Sequence, residues 1–178
     1  MDINPGSTLT STSEQLAAGT YYVVDPTPAF SGGAVALLQT FAVAGQPRKD
    51  DDTGAAARVT MTPADRFQLS GHVPAQGRIV VDNDANTIHF MDLVPVAKGT
   101  TDAQLQAFFD SFGPTGPTLP DPEIGPPVAG ESVLSPGTQA VLGLDVPAGD
   151  YALECFIADD TTGMPHAFMG MHLIIHVR

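Results

Sequence analysis

Apolar residues come along this chain in short runs, and only one stretch repeats with the spacing of a helix. Tyr21–Val24, Ala34–Val43, Arg58–Met61, Arg66–Leu69, Arg78–Val81, Thr87–Val94, Gln139–Leu144, Tyr151–Phe156 and Gly170–Val177 are rich in branched and aromatic residues, with Gly, Pro, Asp and Asn clustered between them. Branched and aromatic side chains suit a pleated, half-buried surface and the intervening residues suit turns, so the pattern predicts strands. Nine short strands with a single helix predict a mainly β sandwich of two sheets. The helix is marked by Thr101 and Gln104 as a capping box, by Leu105, Phe108, Phe109 and Phe112 at helical spacing, and by Gly113 as a stop. Its apolar face must lie on a sheet.

Between the helix and the next strand, Gly113–Pro127 is so dense in proline that it predicts a stiff extended crossover with no regular structure. Residues 45–56, with Lys49-Asp-Asp-Asp52, read as a solvated turn, since a bare acidic run lacks the ligand spacing of a cation loop. Leu16–Asp25 matches Val146–Cys155 at a constant offset, Gly19 over Gly149 and Tyr21 over Tyr151. The first copy has Asp25 where the second has Cys155 and carries no histidine before its second strand. It reads as an additional N-terminal β-hairpin without chemistry. The expected organisation is residues 1–62 as a hairpin extension packed on the sandwich and residues 63–178 as the main domain.

Composition narrows the function. Twenty acidic residues against seven scattered basic ones give a net charge of −13, so no basic patch exists to neutralise a phosphate backbone and nucleic acid is not a partner; a basic protein partner suits the charge better. There is no run of eighteen apolar residues, which argues against a membrane span. The start, Met1-Asp-Ile-Asn-Pro-Gly6, lacks the basic and apolar regions of a secretory signal, consistent with a cytoplasmic chain or with one whose export signal has been removed. No Gly-x-Ser-x-Gly, His-Glu-x-x-His, phosphate-binding glycine loop or paired-cysteine zinc motif is present, so the chain is expected not to be an enzyme.

The chemistry that remains lies in the last thirty residues. Strand alternation puts Tyr151, Leu153 and Cys155 on one face, and the turn-rich loop after Cys155 can return His166 to its side. Met171 then shares a face with Leu173, Ile175 and Val177, while His89 shares one with Met91 and Leu93. Two imidazoles, one thiolate and a weak axial thioether form the blue-copper donor set. Three other readings use the same residues. In a metal-free binding or assembly module, Cys155 and Met171 pack as core while His89 and His166 are exposed or apart. In a Cu(I)-handling protein, the soft set is Met164, Met169, Met171 and Cys155, with His166 assisting. As a nucleophilic pair, Cys155 and His166 would suffer from the burial of the thiol. His72 reads as solvated, and His172 and His176, opposite Met171 in alternation, as surface residues.

From Arg66 to Val177 the chain resembles the cupredoxin family. The resemblance is carried by Phe67, Pro74–Gly77, Asn83–His89, Leu144–Tyr151 before Cys155, Pro165-His166 and Gly170-Met171. It implies a Greek-key β-sandwich, a single copper ion held by His89, Cys155, His166 and Met171, electron transfer with a redox partner protein, and an extracytoplasmic location, periplasmic or secreted. Two features depart from small members of the family: ten residues separate Cys155 from His166, nearer the longer loop of copper nitrite reductases, and a helix with a proline-rich segment is inserted before the last hairpin. A nitrite reductase centre needs further histidines, and only His72, His172 and His176 remain.

Overall fold

The computed structural model describes residues 12–14, 18–25, 36–45 and 54–178. The chain divides into two compact units, Gln15–Asp51 on the one hand and Met1–Glu14 with Asp52–Arg178 on the other. Strand Ala57–Met61 lies inside the sandwich of the larger unit. In the smaller unit, β2 (Gly19–Asp25) and β3 (Ala36–Val43) pair antiparallel with a register shift at Val23/Val24, and Tyr21 stacks on Phe41 across the ladder. This is the expected N-terminal hairpin, starting at Gly19 as its sequence counterpart starts at Gly149. The acidic run at residues 49–52 lies outside the described residues.

The larger unit holds two sheets. The first has five strands in the order β1 (Thr12–Glu14), β11 (Gln139–Asp145), β6 (Gln76–Asn83), β4 (Ala57–Met61) and β5 (Phe67–Gly71), with β4 and β6 parallel and the rest antiparallel. The second has four antiparallel strands in the order β10 (Ala129–Leu134), β7 (His89–Pro95), β12 (Gly149–Glu154) and β13 (His172–Val177). Strands β6 and β7, β10 and β11, and β11 and β12 change sheet, giving Greek-key connections. The mainly β sandwich read from the apolar pattern is the fold observed.

One face of each sheet meets the other. Val59, Met61, Ile79, Val81 and Leu142 from the first sheet pack with Met91, Leu93, Tyr151, Leu153 and Ile175 from the second in a single core. Alternation explains this choice of residues, and it places His89 and Cys155 on the core side at one end of the sandwich. The Tyr151 hydroxyl donates to the Pro147 carbonyl at 2.8 Å, so that buried phenol keeps a partner. The fully buried Asn83 amide donates to the Thr87 and Leu134 carbonyls and its oxygen accepts from the Ala85 N–H, which fixes the turn delivering the chain to His89.

Helix α1 (Asp102–Asp110) covers the outer face of the second sheet, where Leu105, Phe108 and Phe109 pack with Val96, Ala152 and Ala167. The Thr101 hydroxyl accepts from the Gln104 N–H, and the Gln104 side chain accepts from the Thr101 N–H, completing the expected box. Thr101→Ala is expected to lower unfolding free energy by about 1 kcal/mol in a denaturant titration; no change would show that packing alone holds the helix. The proline-rich crossover is more regular than its composition predicts. It opens with a short hairpin of two-residue strands, β8 (Phe112–Gly113) with β9 (Gly116–Pro117), and leads into the edge strand β10, which the sequence reading missed. Ile124 and Val128 donate backbone N–H groups to Pro95 and Leu93, so the segment runs along β7 as an extra border. Proline suits such an edge because no ladder donor is needed on its outer side.

The outer face of the second sheet also carries a polar row. Gly130, Asp92, Glu154 and His172 lie opposite one another on β10, β7, β12 and β13. A Cβ at Gly130 would come within 2.7 Å of the Met91 carbonyl and 2.9 Å of the Asp92 carboxylate, so only glycine fits beside Asp92. His172, expected at the surface, is 9 % exposed; its Nε2 lies 2.9 Å from the Gln106 side-chain oxygen and its ring packs beside Phe109. Alternation placed it correctly on the outer face, and helix α1 covers that face. His72 is exposed, and His176 is exposed with its Nδ1 2.5 Å from the Asp150 carboxylate, as a surface histidine should be.

Candidate metal centre

The loop after Cys155 is closed by its own backbone. Ala158 and Pro165 bridge as in a hairpin, the His166 N–H donates to the Ile157 carbonyl, and the Ala167 N–H donates to the Cys155 carbonyl at 2.7 Å. At its tip, the Asp159 carboxylate accepts from the Thr161 and Thr162 N–H groups and from the Thr162 hydroxyl. These bonds hold the Asp159 carboxyl below the usual carboxylate range. The ten intervening residues therefore fold back as an ordered hairpin, and loop length does not separate His166 from Cys155. A 3-10 turn at His166–Met169 and Gly170, in the left-handed region at φ 95°, then reverse the chain so that the Met171 N–H donates to the His166 carbonyl.

Three of the four expected ligands converge. Cys155 Sγ lies 3.6 Å from His89 Nδ1 and 3.9 Å from His166 Nδ1, and the two Nδ1 atoms are 3.2 Å apart. All three residues are buried, His89 completely and His166 to within 3 %. Among the described residues this is the one group of three or more His, Cys, Asp or Glu side chains with ligand atoms close enough to share an ion. Three donors around one ion, at roughly 2.0 Å for nitrogen and 2.3 Å for sulfur, stand about 3.5 to 3.7 Å apart when trigonal. The observed triangle has that size, and its soft thiolate with two imidazoles suits copper. Met171, the fourth expected residue, is fully buried in the same core cluster as Cys155, directly after the turn that carries His166.

The rival readings fare differently. A metal-free module should have separated or exposed the two histidines, and they are buried together. The soft Cu(I) set is divided, with Met164 and Met169 48 % and 42 % exposed while Cys155 and Met171 are fully buried. Burial pushes the Cys155 thiol up, and the Asp92 and Asp65 charges add to this, while hydrogen bonds from the Phe90 and Ile157 backbone oppose it. A buried, protonated thiol is a poor nucleophile. Burial also pushes the His89 imidazole down, followed by repulsion from His166, with the Asp65 carboxylate pulling the other way. Both shifts favour the uncharged thiol and the uncharged His89 imidazole at this buried site, the forms a cation would meet on arrival.

Sequence reasoning missed the groups around the ligands. His89 Nε2 lies 3.1 Å from the Asp65 carboxylate in the β4–β5 turn, a contact no local spacing announces. Glu154, next to Cys155, is 1 % exposed, and neither carboxyl oxygen reaches a partner at hydrogen-bonding geometry; the Glu123 carboxyl is close enough only for a loose shared-proton contact.

A scan against protein-family models finds no match, and neither does a search of curated protein sequences. Solved structures similar to the chain include auracyanin B, at 21 % identity over 68 % of this chain and 86 % of that one, with a TM-score of 0.40. Auracyanin A, a "blue" copper protein from the green thermophilic photosynthetic bacterium Chloroflexus aurantiacus, is 17 % identical over 68 % and 96 % with a TM-score of 0.38. Reduced rusticyanin is 19 % identical over 68 % and 78 % with a TM-score of 0.37.

Proposed function

We propose that this chain is a mononuclear copper protein of cupredoxin type that passes single electrons to and from a partner protein. The observation that carries the reading is the buried triangle of Cys155 Sγ, His89 Nδ1 and His166 Nδ1, with sides of 3.2 to 3.9 Å. Cys155 would hold the ion as thiolate, His89 and His166 through Nδ1, and Met171 would add a weak thioether donor. Bound there, copper supplies a one-electron couple; the protein supplies a rigid donor set that need not rearrange between oxidation states. Rigidity comes from the two sheets holding His89 and Cys155 and from the self-bonded loop holding His166. The burial of all three residues keeps the donors away from bulk water. A redox partner and an extracytoplasmic location belong to this reading. Among the described residues no helix is long and apolar enough to cross a membrane.

Adding Cu(II) to the purified metal-free protein is expected to produce an intense visible thiolate-to-copper band at one equivalent. Cys155→Ser should abolish the band, and His89→Ala should weaken or shift it. If a tight one-to-one complex forms with no such band, and still forms in Cys155→Ser, the thiolate is not a ligand and the proposal fails.

A further inference from the structure

We infer that Asp65 is a positioning residue for the metal centre: its carboxylate, held by a left-handed backbone in the β4–β5 turn, selects the His89 tautomer that turns Nδ1 toward Cys155 and His166. The inference rests on the copper reading for its consequence, and on geometry alone for the positioning itself.

Asp65 stands at φ 53° and is the one non-glycine residue at positive φ among the described residues. Such a conformation is disfavoured for a residue with a Cβ and recurs where a site needs it; Asp and Asn tolerate it best. The turn is tied by the Thr62 N–H donating to the Arg66 carbonyl and the Asp65 N–H donating to the Thr62 carbonyl. Arg66 Nη1 donates to the Asp65 carbonyl at 2.8 Å, and the same guanidinium lies against Gly170, where a Cβ would stand 3.0 Å from it. One turn, remote in sequence from every ligand, thus braces the His89 side through Asp65 and the loop between His166 and Met171 through Arg66.

The carboxylate accepts and cannot donate, so the 3.1 Å contact requires the proton on His89 Nε2. That leaves the Nδ1 lone pair free in the buried triangle. Asp65 is 39 % exposed on its side-chain atoms while His89 is not exposed at all, so the charge stays hydrated and only the imidazole is desolvated. Outer carboxylates that hold a ligating imidazole in this way fix its ring and raise its basicity, and their loss costs about 10- to 100-fold in metal affinity.

Two variants separate the contributions. Asp65→Asn keeps an acceptor oxygen and a tolerance for the left-handed turn but removes the charge; Asp65→Gly relieves the turn and removes the acceptor. In metal-free protein, long-range nitrogen–proton NMR of the His89 ring should show only the Nε2–H form in wild type, and a mixture with the Nδ1–H form in Asp65→Gly and in Asp65→Asn, whose amide can donate as well as accept. In copper-loaded protein, Asp65→Gly should bind Cu(II) about 10- to 100-fold more weakly, and Asp65→Asn should have a higher reduction potential, because Cu(II) loses a nearby negative charge. Thermal unfolding of metal-free Asp65→Gly should occur no earlier than in wild type, which excludes simple misfolding. An Nδ1–H ring in wild type, or an unmixed Nε2–H ring in Asp65→Gly, overturns the inference. If the NMR result holds while wild type takes up no copper, Asp65 still positions His89 and the copper reading alone falls.

Discussion

Copper(II) present at a thousand times its dissociation constant is expected to raise the unfolding free energy of the wild-type protein by about 4 kcal/mol. For a chain of this size that moves the thermal midpoint up by roughly 8 to 16 °C. The reason is convergence: His89 and Cys155 are 66 residues apart in sequence, so the unfolded chain offers the ion no comparable site. Cys155→Ser should lose most of the increment. Affinity should also depend on pH, because burial holds the thiol protonated well into the alkaline range and the metal must displace that proton. Between pH 5 and 7 the dissociation constant is expected to fall about tenfold per pH unit. The metal-free protein carries an acid liability of its own. The folded His89 resists protonation, so the unfolded chain takes up a proton first, and stability declines as pH drops below the ordinary histidine value of 6.5. A thermal midpoint that copper does not move, measured by calorimetry at neutral pH, would count against a preformed site.

Glu154→Gln is expected to stabilise the metal-free protein by several kcal/mol at pH 8 to 9 and to change little at pH 4. Glu154 lies almost wholly buried next to Cys155, and its carboxyl is pushed up to about 8, first by burial and then by the Glu123, Asp92 and Asp121 carboxylates. A pKa raised in the fold means that stability is fully present below the unfolded value of 4.5 and is lost as pH climbs through about 8, since folding then holds a proton the unfolded chain has released. Each pH unit in that window removes about 1.4 kcal/mol. Glutamine has the shape of the protonated acid and cannot ionise, so the variant should show a flatter curve of unfolding free energy against pH. The polar row across β10, β7, β12 and β13 makes this group hard to relieve otherwise, because Asp92 is directly opposite it on the next strand. Parallel curves for wild type and Glu154→Gln from pH 5 to 8 would show that Glu154 is ionised throughout.

Much of the sandwich is legible in the sequence because its strands are half-buried. The alternation in Val59/Met61, Met91/Leu93 and Tyr151/Leu153/Cys155 reports directly which side chains meet in the core, and the same rule brings His89 to the right end of the right face. Helix α1 is legible for a related reason, since the capping box and the Phe108/Phe109 spacing are both local. What cannot be read this way is pairing that depends on neighbours far along the chain. Strand β10 lies behind a proline-rich segment and is recruited by the exposed edge of β7. His172 is buried by a helix whose Gln106 lies 66 residues earlier, and Asp65 reaches His89 from a turn on the other sheet. The proposed ligand trio falls between these cases. Cys155 and His166 are joined by a loop whose internal bonds are local, but its Ala158–Pro165 bridge is visible only once folded.

That bridge also sets how the centre is assembled in terms of chain entropy. Cys155 and His166 close a loop of eleven residues, whereas His89 must be recruited across sixty-six. The difference in closure cost is about 1.6 kcal/mol from the logarithmic law. The proposed centre is therefore a local pair that a distant third residue completes, and His89→Ala should leave the Cys155–His166 hairpin standing, whereas breaking the hairpin should free His166 while the sheet still holds Cys155.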